Sequence, residues 1–240
     1  MILENISRAL REQNWLAAAI EFVIVIAGVV IGFQINAWAA GRADRAAEHA
    51  FYVRLASELQ ETESLHYRLF DRRRGAFQDL TEAVALIQAQ DSPPLSEAQC
   101  YAVASSVIVA PGVIGLSSVD ELLSGAGLQR VTDEPLREEL VEFVSRAELF
   151  QQTLGDNDLF PLTSNFPDLI EASSYIQDDG EVRLAARCDT AAMRNSTGFK
   201  NQLVRNFDSQ DSLINNRWVP FLESRERLAE KVSKLLAADP

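Results

Sequence analysis

The chain has 240 residues, with 22 Lys and Arg against 35 Asp and Glu, for a net charge of −13. Residues 1–39 hold two arginines and three acids, so the rest carries 20 basic against 32 acidic residues, a net −12. This balance argues against nucleic acid as a partner and against adhesion of the acidic part to anionic lipid, since both require cationic side chains to neutralise phosphate.

The first expected element is residues 1–14. Ile2, Leu3, Ile6, Ala9 and Leu10 are apolar and Arg8 and Arg11 basic, a spacing that suits a short amphipathic segment lying in a membrane interface. Trp15 to Trp38 follows, 24 residues that are apolar almost throughout, with Glu21 the sole charge. As a helix it is ~36 Å long, enough to cross a hydrocarbon core of ~30 Å, and tryptophans at both ends suit the two interfaces. A single transmembrane helix is expected over 15–38, with lipid as its solvent. Arg8 and Arg11 before it are balanced by Arg42 and Arg45 after it, so the positive-inside rule decides little. The short leading segment and the bulk of chain that follows favour a signal anchor with the N-terminus in the cytoplasm; a cytoplasmic C-terminal domain is the alternative. Ala37-Trp38-Ala39 has the small-x-small form of a signal-peptidase site. The long leader, the bulky Trp38 and the polar Gln34 and Asn36 speak for an anchor that is retained.

At 100° per residue, Asn14, Ala17, Ala18, Glu21, Val25, Gly28, Gly32, Asn36 and Ala39 fall within a sector of ~100°. The remaining positions are mostly Ile, Val, Phe and Leu. Small residues in register allow a second helix to approach closely, and polar ones hydrogen-bond across such a contact. Gly28-x-x-x-Gly32 alone is weak; its coincidence with Glu21 and Asn36 makes Ala17, Glu21, Gly28, Gly32 and Asn36 a candidate packing face for another transmembrane protein or a second copy of this chain. A carboxylate at the depth of Glu21 costs several kcal/mol unless protonated, paired or hydrated. Snorkelling to the near interface and contact with a partner both satisfy it. A proton relay does not fit, as the span holds no further titratable group.

Residues 39–240 are expected to form one acidic, mostly helical extramembrane domain. From Ala39 to Gln90 there is no proline and glycine only at 41 and 75, so the span should run on into a long helix. Leu55, Leu59, Thr62, His66, Leu69, Arg73, Ala76, Leu80, Ala83 and Ile87 alternate spacings of four and three, and Leu65, Phe70, Phe77 and Val84 widen the stripe. His66 and Arg73 interrupt the seam, which suits an intramolecular bundle better than a strict coiled coil. Asp91-Ser92-Pro93-Pro94 should end the helix. Ser96–Ala110 reads as a second, buried helix stopped by Pro111-Gly112. Ser118-Val-Asp-Glu121 has the form of a capping box opening a short helix stopped by Gly125 and Gly127. Thr132-Asp-Glu-Pro135 opens another, with Leu136, Leu140, Phe143, Ala147, Phe150 and Leu154 on one face and Gly155 after it. Asn157–Cys188 is irregular, with Asp178-Asp179-Gly180 suited to turn a small hairpin between Tyr175-Ile176 and Val182–Leu184. Asp189–Phe207 reads as a helix weakened by Gly198. A final helix over Ser209–Ala237 should kink or restart at Pro220. The predicted fold class is all-α: a transmembrane helix continuing into a helical bundle, with one small hairpin.

Cys100 and Cys188 belong to no Cys-x-x-Cys or Cys/His spacing. Two unrelated buried thiols, or one disulfide closing a long loop in an oxidising compartment, are both open. The chain has no Gly-x-Ser-x-Gly, phosphate-cradling loop or His-Glu-x-x-His. His49 and His66 stand too far apart on one helix to ligate a metal together and read as surface or seam residues. Arg72-Arg73-Arg74 reads first as a solvated face paired with acids such as Asp71 and Asp79, and otherwise as a site for an anionic ligand or partner. No catalytic, cofactor-binding or metal-ligating set emerges, and the expectation is a non-enzymatic protein.

The run Glu21-Phe-Val-Ile-Val-Ile-Ala-Gly28-Val-Val-Ile-Gly32-Phe-Gln34-Ile35-Asn36-Ala37-Trp38 resembles the opening of a family of uncharacterised bacterial single-span proteins. Glu121-Leu122-Leu123-Ser124-Gly125-Ala126-Gly127-Leu128 with Leu136-Arg137 is similar to its second recurrent stretch, more loosely. Ala37 and Ala39 stand where that family often has further polar residues. The resemblance implies a helical domain of unknown function on a bacterial inner-membrane anchor, and it supplies no activity, cofactor or catalytic residue. Together these features predict an accessory or scaffold subunit docked by its span, with a periplasmic domain. A membrane-anchored sensory, ligand-binding domain is the alternative.

Overall fold

The computed structural model describes residues 15–109, 115–125, 127–155, 159–176 and 182–238, apart from the side chains of 15–18, 153–154, 174–176 and 182–184. The leader at 1–14, the Pro111-Gly112 stop, the Leu154 side chain and the Asp178-Asp179-Gly180 turn lie outside the described residues. The fold is all-α with one small antiparallel hairpin, and the chain divides into two compact units, Met1–Phe51 and Tyr52–Pro240.

Helix α1 runs unbroken over Trp15–Gln88. It holds no proline, and its four glycines, each costing up to ~1 kcal/mol against alanine, do not interrupt it. In the first unit it is the only element described. In the second unit its predicted seam turns inward: Leu55, Leu59, His66, Leu80, Ala83 and Ile87 are buried, and Thr62, Leu69, Arg73 and Ala76 half-buried. Past its C-terminus, Arg194 donates from Nη2 to the carbonyls of Ser92 (2.6 Å) and Pro93 (3.0 Å) and from Nε to that of Leu86 (3.3 Å). A cation suits the negative end of a helix dipole and uses carbonyls that lack a partner within the helix.

Helix α2, Glu97–Ala104, opens on a complete capping box between Ser96 and Gln99. It stops well short of the predicted Ala110. Ser106 N–H bonds back only three residues to Val103, and the freed Ser106 carbonyl accepts from the Gln210 amide at 2.6 Å. Helix α3, Ser117–Ser124, corrects a second expectation. Ser118 lies inside the helix rather than at its cap, and the capping group is Glu58 from α1, whose carboxylate accepts from the Ser118 N–H (3.0 Å), the Ser118 hydroxyl (2.8 Å) and the Ser117 hydroxyl (2.6 Å). Glu121, expected to complete the box, pairs instead with Arg54 at 2.7 Å. Gly125 ends the helix at a point where a Cβ would come within 3.1 Å of the Glu121 carbonyl, and Gly127 adopts a φ of 75° that an L side chain resists.

After a 3-10 turn at Leu128–Arg130, helix α4 spans Glu134–Gly155, with Asp133 accepting from Leu136 N–H at 2.7 Å. The short helix α5, Leu162–Asn165, leads into strands β1, Ile170–Ile176, and β2, Val182–Cys188, paired from Ile170 opposite Cys188 to Ile176 opposite Val182. The hairpin is thus longer than predicted. The helix expected over Asp189–Phe207 is two: α6, Thr190–Asn195, and α7, Thr197–Leu213. The break falls at Ser196, not Gly198, because Ser196 is extended and its hydroxyl accepts from Phe199 N–H at 3.3 Å as the cap of α7. No boundary exists at Ser209. A π-turn at Ile214–Trp218 joins α7 to α8, Val219–Ala238, without interrupting the helical backbone, and Pro220 stands directly after this wider turn, which accommodates a ring that conflicts with a preceding α-turn.

Two cores result. Toward the start of the second unit, Phe70, Phe143, Phe150, Trp218 and Phe221 pack their rings together, with Leu136, Leu140 and Leu228 fully buried nearby in sequence on α4 and α8. The other gathers Leu80, Ala83 and Ile87 of α1, Cys100 and Val103 of α2, Leu162, Ile170 and Ala186 beneath the hairpin, and Met193, Phe199 and Leu203.

The Glu58 cap carries a pH prediction. Burial pushes its carboxyl up, but the hydrogen bonds from Ser117 and Ser118 and the charge of Arg54 outweigh this and hold it below its ordinary value. A depressed carboxylate stabilises the fold above its unfolded pKa, and that contribution fades as pH falls through the folded value. Glu58→Gln is therefore expected to lower the melting temperature at pH 7 and to lose less further stability than wild type on acidification below about pH 4.5. Parallel melting curves from pH 7 to 3 check this; two curves with a constant offset would refute it.

Candidate functional site

The residues that composition and phase single out lie on the exposed part of α1. From Ala19 to Ala40 every residue is exposed, with Phe22 67%, Ile24 65% and Phe33 78% accessible. The helix is long and apolar enough to cross a membrane, and none of its most apolar stretch is buried. A continuous apolar surface of this extent is not left to water by ordinary globular proteins. Trp38 lies near its far end, with the Arg42 guanidinium 5.7 Å from the ring centroid. That pairing keeps an apolar body with a polar rim, as an interface position requires.

Glu21, Gly28, Gly32 and Asn36 follow one another along this helix at spacings of seven, four and four. Helical geometry places them on one stripe about 22 Å long. Ala17 continues the stripe in the backbone, though its side chain is outside the described residues. Glu21 and Asn36 are exposed, and a Cβ built on Gly28 or on Gly32 meets nothing within 4 Å. Among the described residues, the two glycines therefore leave a trough that no side chain fills. Chemically, the stripe offers close backbone approach in its middle and a hydrogen-bonding group near each end.

The second unit holds the other candidates. Cys100, buried on α2, and Cys188, half-buried at the end of β2, form a disulfide with Cα atoms 5.8 Å apart. His66 is buried edge-on to Phe221 with centroids 5.6 Å apart, while His49 is exposed, so the two are not brought together. Among the described residues no group of His, Cys, Asp and Glu is placed to hold a metal ion. The arginine run is split by helical phase: Arg72 and Arg74 are exposed, and Arg73, in register with the seam, turns inward.

Sequence reasoning missed several buried polar groups. Asn206 on α7 accepts from Phe160 N–H (2.8 Å) and donates to the Phe160 carbonyl (2.8 Å) and the Ser106 hydroxyl (2.9 Å), satisfying a stretch of backbone that no regular element serves. Arg225 is buried and donates to the Leu59 carbonyl of α1. Burial lowers its pKa, while Glu63, Tyr67 and Glu226 favour its charge. Tyr67 donates to Glu226, and its phenol is pushed up to about 12 by burial and by that acceptor. These groups tie α8 and α7 to their neighbours. Only their spacing of four on an otherwise apolar face marks Asn206 and Gln210 in the sequence, a pattern shared by many solvated positions. Comparison of the chain with protein-family models, curated proteins and solved structures finds no match in any of the three.

Proposed function

We propose that this protein is a non-enzymatic, single-pass membrane protein that docks through the Glu21–Gly28–Gly32–Asn36 face of α1 onto another membrane helix, serving a membrane complex as an accessory or scaffold subunit. The observation that carries this is the open trough at Gly28 and Gly32 on an otherwise lipid-suited helix, flanked along the same stripe by Glu21 and Asn36. An anchor needs only apolar residues. Glycines destabilise a helix slightly and a carboxylate opposes insertion, so a stripe combining both is best explained by a second helix that benefits from them.

The Cys100–Cys188 disulfide supports placing the acidic domain on the oxidising side of the membrane, since cytosolic thiols are kept reduced. With a cytoplasmic N-terminus this is the periplasm. The resemblance of Glu21–Trp38 to the single-span bacterial family supports the inner membrane as the site and that family as the chain's relatives.

Replacing both Gly28 and Gly32 with Leu fills the trough while raising the hydropathy of the span. Insertion is expected to be unchanged, and association in mild detergent, with a partner or with a second copy, to weaken roughly tenfold, the equivalent of about 1.4 kcal/mol. Val30→Leu, on the opposite side of the helix, should leave association as it was. Equal association of all three proteins, or a strictly monomeric and partner-free wild type, would reduce the segment to a tether.

A further inference from the structure

Where α1, the end of α2 and α7 meet, a cavity of about 10 Å³ is lined by Arg73, Phe77, Leu80, Ser105, Ser106 and Gln210. Three buried polar atoms on its lining residues have no hydrogen-bond partner among the described residues: Nε and Nη2 of Arg73, and Oε1 of Gln210. Nε–H and the Nη2 hydrogen beside it form one edge of the guanidinium, so the two idle donors are parallel and can converge on one acceptor. Gln210 is 2% exposed, and its orientation is fixed. Its Nε2 donates to the Ser106 carbonyl at 2.6 Å, a group that can only accept, which leaves Oε1 as an acceptor in need of a donor.

We infer that this cavity is a binding site for a single water molecule, which accepts from the Arg73 edge and donates to Gln210 Oε1. Three features select the ligand. Its volume is about that of one water-sized probe, too small for a carboxylate or a phosphate. A halide would suit the guanidinium but would face the negative end of the Gln210 amide, whose rotation Ser106 forbids. An empty site would leave donors and an acceptor desolvated on the lining of one cavity, and native interiors pair such atoms or hydrate them. The site also accounts for an arginine in the apolar seam of α1: its edge is used inward, through the water, to reach α7.

The test is a crystal structure of the full chain in detergent, at a resolution that orders water, from crystals grown with bromide in place of chloride. One water peak within hydrogen-bonding distance of both Arg73 and Gln210 Oε1, without anomalous bromide signal, is the expected result. A bromide peak, or a direct Arg73–Gln210 hydrogen bond closing the cavity, overturns the proposal. A solution measurement stands beside it: the melting temperatures of Arg73→Met, Gln210→Met and the double variant. A shared water requires the second substitution to lower the melting temperature much less than the first; strictly additive shifts overturn the bridge.

Discussion

Reducing the Cys100–Cys188 bond, or replacing both cysteines with serine, is expected to lower the melting temperature of the folded domain by roughly 10–15 °C. The bond joins residues 88 apart in sequence, and in the chain-entropy account a closed loop of that length removes enough unfolded-state freedom to stabilise by about 4–5 kcal/mol. For a unit of this size each kcal/mol shifts the midpoint by ~2–4 °C. The loss should begin locally. A two-stranded hairpin is marginal by itself, and the bond fastens β2 to α2 at the register position where Cys188 faces Ile170. Amide exchange after reduction is therefore expected to rise first at Ile170–Ile176 and Val182–Cys188 and last in α4 and α8. Circular dichroism melts with and without reductant check the magnitude, and the double serine variant should be indifferent to reductant. A wild-type melt that does not move on full reduction would show that the bond adds nothing to the fold.

Much of this fold is legible because it is local. The seam of α1 repeats at the helical period and so shows in sequence which residues turn inward. The stripe on the exposed part of α1 follows from the same period: phase alone collects Glu21, Gly28, Gly32 and Asn36. What escapes is decided by residues far away in the chain. Ser118 and Glu121 have the pattern of a capping box, yet Glu58, some 60 positions earlier, occupies the cap because α1 delivers a carboxylate to the start of α3. Gly198 draws attention as a weak point, whereas the break falls two residues earlier, where Ser196 satisfies Phe199 N–H. Pro220 announces a disturbance, but the backbone absorbs it one turn ahead, as the π-turn at Ile214–Trp218, since a proline conflicts with the preceding turn rather than the following one. Arg73 looks like a flaw in the seam until Gln210, 137 positions on, is placed beside the same cavity.

Phe221→Ala is expected to destabilise the domain by about 3–5 kcal/mol, the range for deleting a fully buried aromatic ring. Phe221 follows Pro220 directly, and the π-turn before it sets the phase with which α8 presents its ring to α4 and α1. The ring is 2% exposed and lies 5.6 Å from Phe143, 5.6 Å from His66 and 6.1 Å from Phe150, centroid to centroid. Its removal takes away transfer energy and ring–ring contacts together, and three large neighbours on two helices cannot collapse into the space without moving backbone. Phe221→Leu, which keeps most of the volume, should cost about 1–2 kcal/mol. Val141→Ala, at a half-exposed site on α4, should stay within ~0.5 kcal/mol. Urea titration of the full chain in detergent measures all three, and a shift in midpoint at constant slope identifies the effect as stability rather than altered compactness. A cost below 1 kcal/mol for Phe221→Ala would mean that the aromatic cluster does not hold α8 in place. Gly28→Leu and Gly32→Leu give the opposite pattern: with no neighbour within 4 Å among the described residues to disturb, they should leave the urea midpoint where it is and change only association.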